Sequence, residues 1–382
     1  MYDLVIIGQG MTGMLSAIWG KEQGYNVALA STGTGKIMQS TGLFDLLPGK
    51  AGTFADFANQ RNLSPSSRIQ TEKAVERFQE LMTRLGYPYH GNIDKSVPVV
   101  TSSGYLKFPA LYPETIRSIP DTGRIVVVGF KEISDFSPKY LKGNLEKARP
   151  ALQIDTLSVS FGKSAGRTMT QLDAARLLDQ KTIRTTVMKQ IIEGLKAKNI
   201  KHADLFVFPA SLGVSNWREV IHEWQAELGA PITEAPGMPP NATAIRLHDV
   251  LRKEAVKQGV RFYFDTKVIG SESKGNQIRA LKVQNNSSHN ELAGKHYIIA
   301  TGGILGGGLI LSDSGYQETV LGLDVDENGS YVRCPNNVYP VGAALGTHYT
   351  NYGITGGIFS ILSSYETIEK IHQVSLGGVQ NA

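Results

Sequence analysis

Near its amino terminus the chain reads Gly8-Gln9-Gly10-Met11-Thr12-Gly13, three glycines at a spacing that lets backbone approach a phosphate. Gly8 permits a tight turn, Gly10 lets the main chain come close to the phosphate, and Gly13 lets the next helix pack on the strand before it. The free N–H groups of such a helix, opening at Met11 and Thr12, carry partial positive charge and favour an anion. The context suits this chemistry. An apolar strand, Tyr2 to Ile7, precedes the turn, and a helical run through Met14, Leu15, Ala17, Ile18 and Trp19 follows it. A second strand, Asn26 to Ala30, completes a β-α-β opening that points to dinucleotide or flavin phosphate binding. That strand ends at Ser31, where an acid would ordinarily grip an adenosine ribose, and the first acid beyond it is Asp45. A serine hydroxyl bonds a ribose more weakly and without charge. Both a dinucleotide held with less help and a mononucleotide with its one phosphate on the glycine turn fit this pattern.

The carboxy-terminal third carries a second signal. Ile298-Ile299-Ala300-Thr301-Gly302-Gly303 is an apolar strand that ends in a turn of small residues, where backbone can lie close to a cofactor. A short strand, Asn337 to Val341, then meets a turn at Gly342, and Thr355-Gly356-Gly357 opens a helix from Ile358. Beside a flavin, the amino terminus of that helix would stabilise negative charge on the reduced ring.

The elements that must position these turns follow from length and patterning. The chain has 382 residues, which suggests two domains because single cores stop growing near ~250–300 residues. The clearest boundary signal is the Pro-Gly-rich stretch from Ala235 to Pro240. The expected architecture is α/β: a Rossmann-like flavin domain from residues 1–70 and 239–382, with an α+β domain, 71–238, inserted between them. Within the insertion an amphipathic helix spans Thr71 to Leu85, the clearest strands are Ile125 to Val128 and Leu205 to Pro209, and helices cover 173–178, 183–195 and 216–228. Beyond it come a helix from Arg246 to Gln258, a strand at 260–264 and a hairpin over Gln277 to Leu292.

Composition narrows the function classes. A 41% apolar and 19% charged chain is not intrinsically disordered, and a single cysteine, Cys334, excludes a four-cysteine zinc site or an iron–sulfur cluster on this chain alone. One cysteine also fits an intracellular setting, and Cys334 itself reads as an inert thiol. No run reaches the ~20 apolar residues of a membrane-spanning helix, and the amino terminus lacks a secretory signal. Net charge is +5, and residues 136–203 hold 13 Lys or Arg against 5 Asp or Glu, a surface suited to an anionic substrate, partner or lipid. No aromatic-interleaved basic motif suggests nucleic acid. Neither a Ser-His-Asp elbow, a metal-ligand cluster nor a P-loop is present.

Taken together, the Gly8-x-Gly10-x-x-Gly13 opening, the Ala300-Thr301-Gly302-Gly303 turn and the closing Gly342…Gly356-Gly357 pattern resemble the two-dinucleotide-domain flavoproteins. Three further segments resemble the B-subunit family of anaerobic glycerol-3-phosphate dehydrogenases: Ser40-Thr41-Gly42-Leu43-Phe44-Asp45-Leu46-Leu47, Pro236-Gly237-Met238-Pro239-Pro240…Arg246-Leu247, and Asn337 through Gly346. The resemblance keeps the order of these segments along nearly the whole chain. It implies a flavin subunit, assigned FMN in that family although FAD is possible, with Ser40, Thr41 and Gly42 in the cofactor site. It also implies an FAD-binding catalytic subunit and an iron–sulfur subunit as partners, the latter anchoring the complex to the cytoplasmic face of the inner membrane. The implied reaction oxidises glycerol 3-phosphate to dihydroxyacetone phosphate and passes electrons to quinone.

Oxidation of a secondary alcohol by hydride transfer needs a base for the hydroxyl proton and a cation for the substrate phosphate. His348, between the Gly342 and Gly356-Gly357 turns, is the best-placed base, with Tyr349 and Tyr352 as neighbours. Arg246 and Arg333 are candidate phosphate binders. Two rival readings remain open: a self-contained FAD oxidoreductase of another small alcohol or acid, and a non-catalytic flavin relay whose partner carries the chemistry.

Overall fold

The computed structural model describes residues 1–61, 63–64, 67–162, 168–286, 288–312, 315–326, 329–345 and 356–380, with side chains as far as 376. Its centre is a seven-stranded sheet whose parallel part reads, from one edge, Arg261–Tyr263, Val27–Ala30, Tyr2–Ile7, Ser288–Ile299 and Val338–Pro340. Ile6 lies opposite Leu29 on one side and Ile298 on the other. The residues from Leu4 to Ile7 and from Val27 to Ala30 are all buried, as a parallel sheet covered on both faces requires.

The strand Ser288–Ile299 has two roles. Its first half pairs antiparallel with Gln277–Asn285, which in turn pairs with Thr266–Lys274; its second half joins the parallel core. The expected hairpin over 277–292 is therefore a three-stranded meander. Thr266–Lys274 escapes a sequence reading because it is largely exposed and polar.

Among the described residues, several helices cover the core, Ala242–Lys257 among them. Met11–Glu22 packs on the closing helix Gly356–Gln380, which also packs on Ser67–Arg84. The second body is an all-parallel sheet in the order Ile232–Ala235, Leu205–Pro209, Gly123–Phe130, Leu152–Val159. Helices Pro138–Ala148, Gln171–Leu178, Lys181–Ala197 and Trp217–Leu228 make the crossovers that parallel strands require.

The inserted body starts later than residue 71. Ala74, Val75, Phe78, Leu81 and Met82 of Ser67–Arg84 lie in the same apolar core as Leu4, Trp19 and Ile361. Strand Pro109–Pro113 pairs with Phe44–Asp45 and with Tyr89–Gly91, so it too belongs to the first body. The second core is built mainly from residues 119–235. An amphipathic face shows that a helix must be covered, but it does not name the surface that covers it.

Candidate functional site

The glycine turn follows from close packing that no side chain could survive. Gly8 has φ +105°, and a Cβ there would overlap the Ala300 carbonyl; one on Gly13 would overlap the Gly8 carbonyl. The strand ends on either side are stitched to this turn, with Gly8 N–H donating to Ala30 O at 2.8 Å and Ala300 N–H donating to Ile7 O at 2.8 Å. Gly10 differs. Among the described residues nothing lies within 4 Å of where its Cβ would stand, so the space on that side is open, although Gly35 packs closely on the Gly10 backbone. Gly10 is also the N-cap of Met11–Glu22, with no side-chain cap and no acid in the first turn. The helix start thus offers unoccupied N–H groups and positive potential to an anion.

Beyond the second strand, Ser31 is buried and its Oγ finds no partner among the described residues. A cleft of about 220 Å³ opens beside it, lined by Gln9, Gly33, Thr34, His248, Arg252, Phe264 and Asp265. Gln9 is fixed by donating its side-chain amide to Gly33 O at 2.7 Å. His248 is almost fully buried; its Nδ1 meets Asp249 at 3.0 Å, and its Nε2 has no partner among the described residues. Phe264 stacks on Phe262 with ring centres 5.3 Å apart, and the Arg252 guanidinium lies 5.3 Å from its ring centre. A flat aromatic face, a buried imidazole and a guanidinium make a slot suited to a heteroaromatic base. His248, Arg252 and Phe264 carry no signal of their own in the sequence, although His248 and Arg252, four apart, share a helix face.

The Ser40–Gly42 turn is tied to the helix Ala242–Lys257. Asn241 caps that helix through Ala244 N–H and donates Nδ2 to Ser40 O at 3.0 Å, while Thr243 donates its hydroxyl to Thr41 O at 2.7 Å. Gly42 has φ +71°, and its carbonyl accepts from the Tyr89 hydroxyl at 2.8 Å. At the other end of the chain, Gly342 N–H donates to Ser363 Oγ at 2.9 Å, and Ser364 donates to the carbonyl of Thr12 at 3.1 Å. Gly357 abuts the Phe44 ring so closely that a Cβ would overlap it. Gly302 turns with φ +83° ahead of Gly303, and the buried Thr301 Oγ1 has no partner among the described residues. The glycine turn, Ser31, the Ala300–Gly303 turn and Gly342 therefore sit just past the carboxyl ends of the parallel strands, with Ser40–Gly42 and Gly356–Gly357 packed near them. His348, Tyr352 and Thr355 lie outside the described residues.

Arg246 is a different matter. The expectation of a phosphate-binding guanidinium meets a buried ion pair instead. Arg246 donates Nη1 to Glu234 Oε2 at 2.6 Å and Nη2 to Glu234 Oε1 at 2.9 Å, and its Nε bonds Gly213 O at 2.8 Å. Burial opposes its charge, but the Glu234 carboxylate more than offsets this and holds it protonated. With its donors engaged and almost no exposure, it joins the two bodies and has nothing left for a substrate.

A flavin fits this arrangement on three observations: the uncapped helix start, the open space over Gly10 and the orphaned Ser31 hydroxyl. The model of a family described as FAD binding domain matches residues 3–355. The chain is 27% identical over 353 residues to the anaerobic glycerol-3-phosphate dehydrogenase B-subunit of Vibrio cholerae, a match covering 86% of this chain and 79% of that one. The protein of the same name from Actinobacillus succinogenes is 24% identical, over 85% of this chain and 79% of its own. Among solved structures, 3-ketosteroid Δ1-dehydrogenase from Sterolibacterium denitrificans is similar with a TM-score of 0.36 at 15% identity, covering 79% of this chain and 48% of that one.

Proposed function

We propose that this chain, which belongs to the FAD-binding domain family, is the flavin-carrying subunit of a multi-subunit glycerol-3-phosphate dehydrogenase. The observation that carries this reading is the match to relatives of that name along more than four-fifths of the chain. Bound flavin supplies the two-electron acceptor for an alcohol carbon. This chain's residues bind and orient it: the Met11–Glu22 helix start takes the phosphate, and the small-residue turn at Ala300–Gly303 and Gly356, which has nothing within 4 Å of its Cβ position among the described residues, leave room for the ring. Cys334 is the lone cysteine, and burial pushes its thiol up, away from the reactive thiolate. Electrons therefore leave through partner chains, which we take to be an FAD-binding catalytic subunit and an iron–sulfur subunit that delivers them to quinone at the cytoplasmic face of the inner membrane. No helix among the described residues is long and apolar enough to cross a membrane.

The cofactor we favour is FAD rather than the FMN that the family resemblance implied. The cleft beyond Ser31 is supported as a base-binding slot by Phe264, Arg252 and the unpartnered His248 Nε2, and FMN has no adenine to fill it. The serine in place of an acid at position 31 is the observation that favours FMN. Acid release of the bound cofactor and chromatography against both standards decides between them: FAD is expected, and FMN would sink the assignment. Ser31→Ala should leave the unfolding midpoint unchanged, because its hydroxyl has no protein partner, yet raise the FAD dissociation constant about fivefold for one lost hydrogen bond. Its FMN affinity should not move. For the reaction, glycerol 3-phosphate should bleach the flavin of the assembled complex. Bleaching of the isolated chain would place the chemistry on this subunit; failure in the complex would overturn the substrate.

A further inference from the structure

Asp45 and Lys107 are 62 positions apart and meet because strand Pro109–Pro113 pairs with Phe44–Asp45. Lys107 Nζ lies 2.9 Å from Asp45 Oδ2 and donates to Thr41 Oγ1 at 3.4 Å. The two partners are unequally placed. Asp45 is 3% exposed, and its Oδ1 has no partner among the described residues, while the Lys107 side chain keeps 24% of its exposure. Burial holds the Asp45 carboxyl above its usual value, and Lys107 offsets this only in part. An ammonium has three donors. Two are engaged here, and among the described residues the third is unengaged.

A carboxylate sunk in the core holds a cation by one oxygen, at the turn whose neighbours are the closing helix start and the Ala242–Lys257 helix. Reduction of a bound flavin adds negative charge to its ring, and a fixed cation close by stabilises that state over the oxidised one. We propose that the Lys107 ammonium, held by Asp45 and Thr41 at the Ser40–Gly42 turn, is the positioning cation that stabilises the reduced flavin. This rests on the reading that the turn borders the flavin. Asp45 acts through Lys107, setting its place and partly cancelling its charge.

The test is the midpoint potential of the flavin-loaded chain, equilibrated with reference dyes in the absence of substrate. Lys107→Met should favour the oxidised form at least tenfold, lowering the potential by about 30 mV for a two-electron couple. Lys107→Arg, which keeps the charge, should stay within about threefold of wild type. Asp45→Asn, which removes the counter-ion, should raise the potential, a change of sign that a general loosening of the site would not produce. Because Lys107→Met leaves Asp45 buried and unpaired, the double variant Lys107→Met, Asp45→Asn provides a second measurement, expected at least tenfold below Asp45→Asn alone. A flavin-bearing Lys107→Met chain, or double variant, whose potential equals its parent's overturns the role of Lys107. A wild-type chain that retains no flavin overturns instead the cofactor reading beneath it.

Discussion

Gly10→Leu is expected to fold with an unfolding midpoint close to wild type and to emerge from purification without its flavin. The physical basis is the contrast among the three glycines of the turn. Side chains at Gly8 and Gly13 would run into backbone carbonyls, so their replacement disrupts the strand–helix junction itself. At Gly10, among the described residues, there is nothing within 4 Å of a Cβ to collide with, and the space a leucine would fill is the space a phosphate needs. Losing two charge-assisted bonds from the helix start, at roughly 1.5–3 kcal/mol each, weakens binding by at least about 100-fold. Titration of flavin into the apo variant by fluorescence quenching measures the loss, and circular dichroism checks the fold. Wild-type flavin retention would mean that the phosphate lies elsewhere.

A second large effect is expected at Arg246. Arg246→Met strands Glu234, which has no exposed surface, inside the joint between the two bodies, and leaving a buried charge without its partner costs about 3–5 kcal/mol. The urea midpoint should fall accordingly. Combining it with Glu234→Leu removes the second charge, and at least half of the lost stability should return, because a buried pair contributes little net free energy once its desolvation is counted. Recovery will be incomplete, since Leu212 N–H and Gly213 O lose their partners in the pair. If the single variant is as stable as wild type, the joint is wetter than its geometry indicates.

Local signals were legible and distant ones were not. Gly8, Gly10 and Gly13 carry their meaning in six consecutive residues, so the tight strand-to-helix turn could be read before any fold was known. The apolar run at Tyr297 to Ala300 and the glycines at 342, 356 and 357 are similarly local. The allegiance of Ser67–Arg84 could not be read, because the same buried face would serve either body. Arg246 looked like a binder because its partner Glu234 lies across the Pro236–Pro240 stretch, in the strand Ile232–Ala235. Asp45 and Lys107 look unremarkable apart and meet only through a strand pairing. The cleft near Ser31 draws on four separate segments, and its His248 and Phe264 are ordinary helix and strand residues until the fold assembles them.

The joint around Arg246 has one more implication. The chain leaves the flavin body near Thr115 and returns near Glu234, and the two crossings lie side by side: Glu234 N–H donates to Thr115 O at 3.0 Å, and Arg117 N–H to Thr233 Oγ1 at 2.9 Å. The chain thus leaves and re-enters the host at adjacent points, with more than a hundred residues between them. Domain insertion is best tolerated where the guest's ends are adjacent, because the host then gives up almost no chain geometry. The second body can therefore be regarded as a guest grafted into a host loop. On that view, growth or loss of the whole parallel sheet would leave the host's strand order untouched.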